Sequence, residues 1–239
     1  MNPFRALAAA FSYFSILPVR SFSAAPTGAV IGWLPLVGAA IGLLSGAAAW
    51  LVFAWTASIV WAVAVAFVAS IVLSGAIHVD GFLDCSDALL MTAPPHRRLE
   101  VLHDPRHGTY AVVAMTVLSV VWLAALAQIP PTQMPLALAL AATLSRASVV
   151  PLAQQYRHPR TGVSHHGTVI YGVLWFLVVA AAAVWLTHAW TALAYVVAAY
   201  LLAQLLAVAA SRRIGGGITG DIYGAIVVVT EVALLIAMF

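Results

Sequence analysis

Long apolar runs separated by short polar connections set the pattern of this chain. The runs fall at roughly 29–53, 57–77, 110–128, 134–151, 168–187, 190–210 and 222–239. A helix needs ~20 mainly apolar residues to cross a bilayer, so the pattern predicts about seven spanning helices. The stretch Pro3–Leu17 is shorter and reads as a tilted or interfacial helix. Gly32, Pro35, Gly38, Gly42 and Gly46 punctuate the first run. Small residues at such spacing let helix backbones approach closely in lipid.

Composition turns that pattern into a class. Of 239 residues, 64% are hydrophobic and 7% charged, and the mean hydropathy is +1.05. Soluble domains average about 45–50% apolar and ~25% charged residues, so a water-soluble fold is excluded. The prediction is an all-α, polytopic membrane helix bundle forming a single domain over 1–239. All 10 basic residues are arginine. Without lysine, a Walker A loop and a Schiff-base mechanism are ruled out. The lone cysteine, Cys85, excludes disulfides and thiolate zinc sites. Pro18 and Arg20 follow the first apolar stretch where a signal peptide would place small residues, so no cleavable signal is expected.

The few charges are unevenly placed. Connections 1–28, 78–109, 152–167 and 211–221 hold nine of the arginines, whereas the turns near 55–58, 128–135 and 187–190 hold no charge. By the positive-inside rule the N-terminus and all large loops face the cytoplasm and the C-terminus lies outside. The net charge of +3 therefore reads as topology, and no nucleic-acid partner is expected. The expected location is the cell membrane, the inner membrane in a Gram-negative source.

Chemistry concentrates where the second run ends. His78, Asp80, Asp84 and Asp87 lie within Gly75–Asp87, and on a helix the three aspartates share one face at i, i+4 and i+7. Carboxylates so close repel each other, and a divalent cation is the usual remedy. Oxygen-only ligands favour Mg²⁺, Ca²⁺ or Mn²⁺, and Mg²⁺ commonly shares its shell with substrate phosphates. The plain alternative is acidic residues complementing a helix N-terminus. His78 reads as a structural histidine or as a general base. Downstream, Asp104 can add a carboxylate, Arg106 can grip phosphate in a bidentate fork, and Gly108 permits close backbone approach. Arg97 and Arg98 read as orientation signals.

Arg146 lies inside a predicted span, where an arginine faces a polar cavity, meets a carboxylate or snorkels outward. Glu231, equally costly in the last run, is a conceivable partner. Arg157 is a candidate phosphate contact, and Arg160 reinforces topology. His158, His165 and His166 read as solvated. The run Gly215–Gly220 enters the last helix, so Gly216, Thr219 and Gly220 are candidates for an anion cradle at a helix N-terminus. Asp221 is either an N-cap or a further metal ligand.

These residues resemble a known family. Gly75-Ala-Ile-His-Val-Asp-Gly-Phe-Leu-Asp-Cys-Ser-Asp87 is similar to the Gly-x-x-His-x-Asp-Gly-x-x-Asp-x-x-Asp motif of cobalamin synthases, the adenosylcobinamide-GDP ribazoletransferases. Leu99–Tyr110 and Gly216–Gly224 resemble the family's later motifs, as do Phe14–Pro18 and Trp33–Gly42. The chain departs from the family at His103, which replaces a lysine, and at Val227 and Val228, which replace glutamines.

The resemblance implies an Mg²⁺-requiring integral membrane transferase. It would join adenosylcobinamide-GDP to α-ribazole or its 5′-phosphate and release GMP. Asp80, Asp84, Asp87, Asp104 and Asp221 would then serve Mg²⁺, and Arg106, Arg146 and Arg157 would hold phosphates. The base is His78 or an aspartate. A CDP-alcohol phosphotransferase is the nearest alternative. Its motif has alanine where Asp84 stands, and its second aspartate element is missing here. A prenyltransferase wants aspartate-rich motifs on two helices, and an ion-coupled transporter wants its carboxylates at mid-membrane. A homo-oligomer is left open.

Overall fold

The computed structural model describes residues 2–19, 27–164, 174–175, 177–178 and 191–238, and among these it contains helices and no strand. The helices are α1 (Pro3–Phe14), α2 (Gly28–Ile31), α3 (Leu34–Thr56), α4 (Ile59–Leu73), α5 (Ile77–Leu90) and α6 (Pro95–Val101). They continue with α7 (Thr109–Ala127), α8 (Met134–Val149), α9 (Leu152–Gln155), α10 (Thr191–Arg213) and α11 (Gly220–Ala237).

Five stretches are long and apolar enough to cross a bilayer: Gly28–Thr56, Thr109–Ala127, Met134–Gln155, Leu193–Arg213 and Gly220–Ala237. Each coincides with a predicted run. The predicted span at 168–187 lies outside the described residues, apart from short helical pieces at 174–175 and 177–178. The early segment forms α1, whose 12 residues reach only about 18 Å at 1.5 Å per residue. That is too short to cross, as expected for an interfacial helix.

The predicted span at 57–77 differs from the expectation. Its helix, α4, ends after 15 residues, and α5 departs at 90°. The turn is made by Gly75 and Ala76, with φ of +61° and +58°. Glycine takes this left-handed conformation freely, whereas the alanine Cβ makes it costly. The broken pair α4–α5 is the only candidate for a sixth crossing among the described residues.

The bundle's exterior is apolar. Trp55 and Phe4 are 89% and 79% exposed, an arrangement that suits hydrocarbon. With no hydrophobic drive between helices in lipid, close packing of small residues has to hold them together. Gly38, Gly42 and Gly46, spaced by four on α3, do this against α8. A Cβ at each would come within 3.0 Å of the α8 backbone, at Ala142, Leu138 and Pro135 respectively. The two helices therefore run antiparallel. Gly42→Leu is expected to lose about 1–3 kcal/mol or more through overpacking. Leu43→Ala, at a position 53% exposed, serves as the near-neutral control. Thermal unfolding in detergent compares the two.

The same device joins α5 to α11. A Cβ at Gly81 would strike the Asp221 backbone, and one at Gly224 would crowd that of His78. Around this crossing lies an apolar cluster that includes Phe14, Leu34, Cys85, Leu102, Ile218, Ile222 and Ile226. It supports the polar loops gathered at one end of the bundle. There, Ile218 N donates to Arg157 O and Arg213 Nη1 to Leu89 O.

Candidate active site

Helix α5 carries the acidic face that the spacing predicts, and its residues meet different fates. Asp80 and Asp84 lie beside His107, with Asp80 Oδ1 3.8 Å from Nε2 and Asp84 Oδ1 3.5 Å from Nδ1. The Asp80 side chain is 66% exposed and that of Asp84 only 16%. Asp221, on the first turn of α11, belongs to the same group. Among the described residues, a charge on Asp84 is repelled by Asp80, Asp221 and Asp87 and attracted by His107. Among the described residues no arginine forms an ion pair with Asp80, Asp84 or Asp221, although the chain has 10 arginines.

Asp87 is used differently. Its Oδ2 accepts from Gly108 N, and its Oδ1 accepts from Ala111 N at 3.1 Å. It therefore caps the N-terminus of α7 from 21 residues away and draws the 102–108 loop toward α5. Gly108 is needed at this contact, because a Cβ there would lie 2.9 Å from Asp87 Oδ1. Both Asp87 oxygens accept from amides, so in this structure Asp87 positions the start of α7 against α5.

Asp104 also stands apart from the acidic group. Arg106 grips it in a fork, Nε to Oδ1 at 2.9 Å and Nη2 to Oδ2 at 2.8 Å, and adds a backbone N–H at 3.1 Å. These bonds hold the Asp104 carboxyl at about 2, well below the usual carboxylate range. The pair is solvent-exposed. In this structure Asp104 is paired with Arg106. The fork uses Nε and Nη2 of Arg106 and leaves Nη1 facing outward on a side chain 86% exposed.

Arg146 is 4% exposed and donates through Nη1 to Glu231 Oε2 at 2.8 Å and to Ala142 O at 3.0 Å. The conceivable partner is the actual one: Arg146 and Glu231 form a buried ion pair between α8 and α11. Arg98 is buried, and its guanidinium donates to the carbonyls of Ala88, Leu89 and Ala93, closing the C-terminus of α5. Arg97 pairs with Glu100 at 2.6 Å, and Arg160 donates to Leu99 O.

In the glycine run, Gly215, Gly216 and Gly217 all have positive φ. Gly216 N donates to Ser211 O and Ile218 N to Arg157 O. Those amides build the turn itself, and the Gly216 N–H is bonded within it. Thr219, buried at 1% exposure, is the N-cap of α11 and makes no side-chain capping bond. Gly220 faces open space, so the first turn of α11 remains accessible with its favourable dipole. Asp221 is inside that turn and is not the cap. Arg157 is exposed and borders the glycine turn through its carbonyl. His158 Nδ1 faces the amides of Arg160 and Thr161, and His165 and His166 lie outside the described residues.

His78 is buried, stacked on Phe14 with ring centroids 6.1 Å apart, and its Nδ1 has no partner among the described residues. It shares a cavity of about 380 Å³ with Asp80 and Asp221. Among the described residues no three His, Cys, Asp or Glu side chains converge as a ready-made metal cage. Asp80, Asp84 and Asp221 nevertheless fit Mg²⁺ chemically. They offer hard oxygen donors that no described arginine pairs with, and Mg²⁺ completes its shell with waters and substrate oxygens. The residue that sequence reasoning missed is His107. Its only signal was adjacency to Gly108, the partner of Asp87.

The profile of the family described as cobalamin-5-phosphate synthase matches residues 6–239. Curated relatives bear the name adenosylcobinamide-GDP ribazoletransferase. That of Geobacillus kaustophilus is 32% identical across 91% of this chain and 88% of that protein. Those of Stutzerimonas stutzeri and Pseudomonas paraeruginosa are 33% and 34% identical, across 96% and 98% of this chain and 95% and 97% of theirs. No solved structure matches the chain. A profile match from the first helix to the last residue, over relatives aligned along almost their whole length, means that the chain belongs to the cobalamin-5-phosphate synthase family.

Proposed function

We propose that this chain joins adenosylcobinamide-GDP to α-ribazole, or to its 5′-phosphate, and releases GMP, with Mg²⁺ held by Asp80, Asp84 and Asp221. The observation that carries the reading is selective pairing. Arg106 and the α7 amides satisfy Asp104 and Asp87, while among the described residues no arginine forms an ion pair with the three remaining aspartates.

A ribose hydroxyl attacks the phosphorus bonded to cobinamide, forming a P–O bond as the pyrophosphate bond to GMP breaks. The hydroxyl proton passes to an acceptor on the cavity wall, Asp80 or His78, and GMP leaves with the electron pair. Bound Mg²⁺ supplies charge neutralisation for the pyrophosphate and the departing GMP. Positioning and charge neutralisation provide most of the catalysis in phosphoryl transfer. The residues placed to contribute are Arg106 and Arg157 on the loops and the amides of Gly220 and its successors. The uneven spread of arginines supports a cytoplasmic active site, in the inner membrane of a Gram-negative source.

The test mixes purified protein with adenosylcobinamide-GDP, α-ribazole and Mg²⁺ and follows GMP and cobalamin. Product that appears with Mg²⁺ and disappears with chelator is expected. Folded protein that yields neither product overturns the reading.

A further inference from the structure

The cavity beside Asp80 and Asp221 is more selective than a general phosphate site requires. Its volume of about 380 Å³ falls in the range of small-molecule pockets, roughly 300–1,000 Å³. Aromatic rings of Tyr13, Phe14, Tyr156 and Tyr223 line it. Between them the wall is aliphatic, including Leu34, Val149 and Ala153. The Tyr223 hydroxyl already donates to Leu152 O at 3.3 Å. Polar groups come chiefly from α5 and the start of α11, at His78, Asp80 and Asp221.

We propose that this cavity is the acceptor subsite and that it takes the methylated benzimidazole ring of ribazole, leaving the ribose toward Asp80 and Asp221. The assignment rests on the function proposed above and adds which substrate goes where. Three chemistries compete for the space. Guanine carries an amide and an exocyclic amine along its edge; the wall of leucine, valine and alanine offers them no partner, and the cavity's carboxylates, Asp80 and Asp221, are those assigned above to Mg²⁺. The corrinoid is a macrocycle fringed with amides, too large for 380 Å³ and too polar for that wall. A glycosylated dimethylbenzimidazole has no N–H donor, presents two methyl groups and stacks on aromatic rings. It is the one substrate part whose surface matches.

The test exploits size. Ala153→Leu adds three carbons to the aliphatic wall, and even a methyl-sized change in an apolar pocket shifts selectivity about 10-fold or more. The variant should raise KM for α-ribazole about 10-fold and favour the riboside of unmethylated benzimidazole, with KM for adenosylcobinamide-GDP unchanged. Tyr13→Ala, at a position 41% exposed where folding tolerates change, should raise KM for α-ribazole alone. Equilibrium dialysis of labelled α-ribazole reads the cavity without turnover, and Ala153→Leu should weaken that binding in step. A rise in KM for the cobinamide substrate, or equal effects on both ribosides, overturns the assignment while the transferase reading stands. Wild-type protein that binds α-ribazole but makes no product overturns the transferase reading and leaves the cavity assignment supported.

Discussion

Asp84→Asn should lower turnover by about 10²–10³-fold, the scale of losing one preorganised electrostatic group at a reacting centre, while leaving the fold intact. Asparagine keeps the shape of the side chain, which is 16% exposed, and removes its charge. That charge faces repulsion from Asp80, Asp221 and Asp87, so its loss should leave stability unchanged or improved. Groups held in mutual conflict for function commonly behave in this way. Two measurements separate the outcomes. Turnover should collapse, and Mg²⁺, expected to raise the melting temperature of the wild type, should raise that of the variant less or not at all. Full activity would remove Asp84 from the site, and loss of activity with an unfolded variant would make its role structural.

Glu231→Leu should be the most destabilising single change in the bundle. It leaves Arg146, 4% exposed, as an uncompensated charge among helices. Breaking a buried pair from one side costs about 3–5 kcal/mol. The double variant Arg146→Leu/Glu231→Leu should recover most of that loss, because apolar replacement of both partners is often neutral. Denaturant titration in micelles gives the cycle. A double variant that regains stability and keeps its KM for adenosylcobinamide-GDP identifies Arg146 as a helix-to-helix tie. A selective rise in that KM would return Arg146 to the phosphate-binding set.

Both predictions show which parts of the molecule were legible from sequence. The aspartates of α5 were, because helical periodicity puts spacings of four and three on one face whatever surrounds them. So was the glycine series of α3, since small residues at four-residue intervals in an apolar run serve close packing. The Arg146–Glu231 pair was foreseeable because lipid forbids either charge alone.

What was hidden depended on contacts between distant segments. Asp87 looks like Asp80 and Asp84 in sequence, and only the return of the chain at Gly108 and Ala111 distinguishes it. Arg98 looks like any loop arginine until the end of α5 is seen to need a donor for its carbonyls. The turn at Gly75 and Ala76 was masked by uninterrupted apolarity. Hydropathy counts residues suited to lipid and does not register a change of direction.

The glycine contacts between α3 and α8 also bear on how the protein is made. Gly42 meets Leu138, and the ribosome adds about 5–20 residues per second, so α3 waits on the order of 5–20 s for its mate. During that interval its grooved face has only lipid or the insertion machinery against it. The vulnerable moment for this protein is therefore during synthesis, before its catalytic loops are complete. Slowed translation between the two helices should lower yield without altering the enzyme that survives.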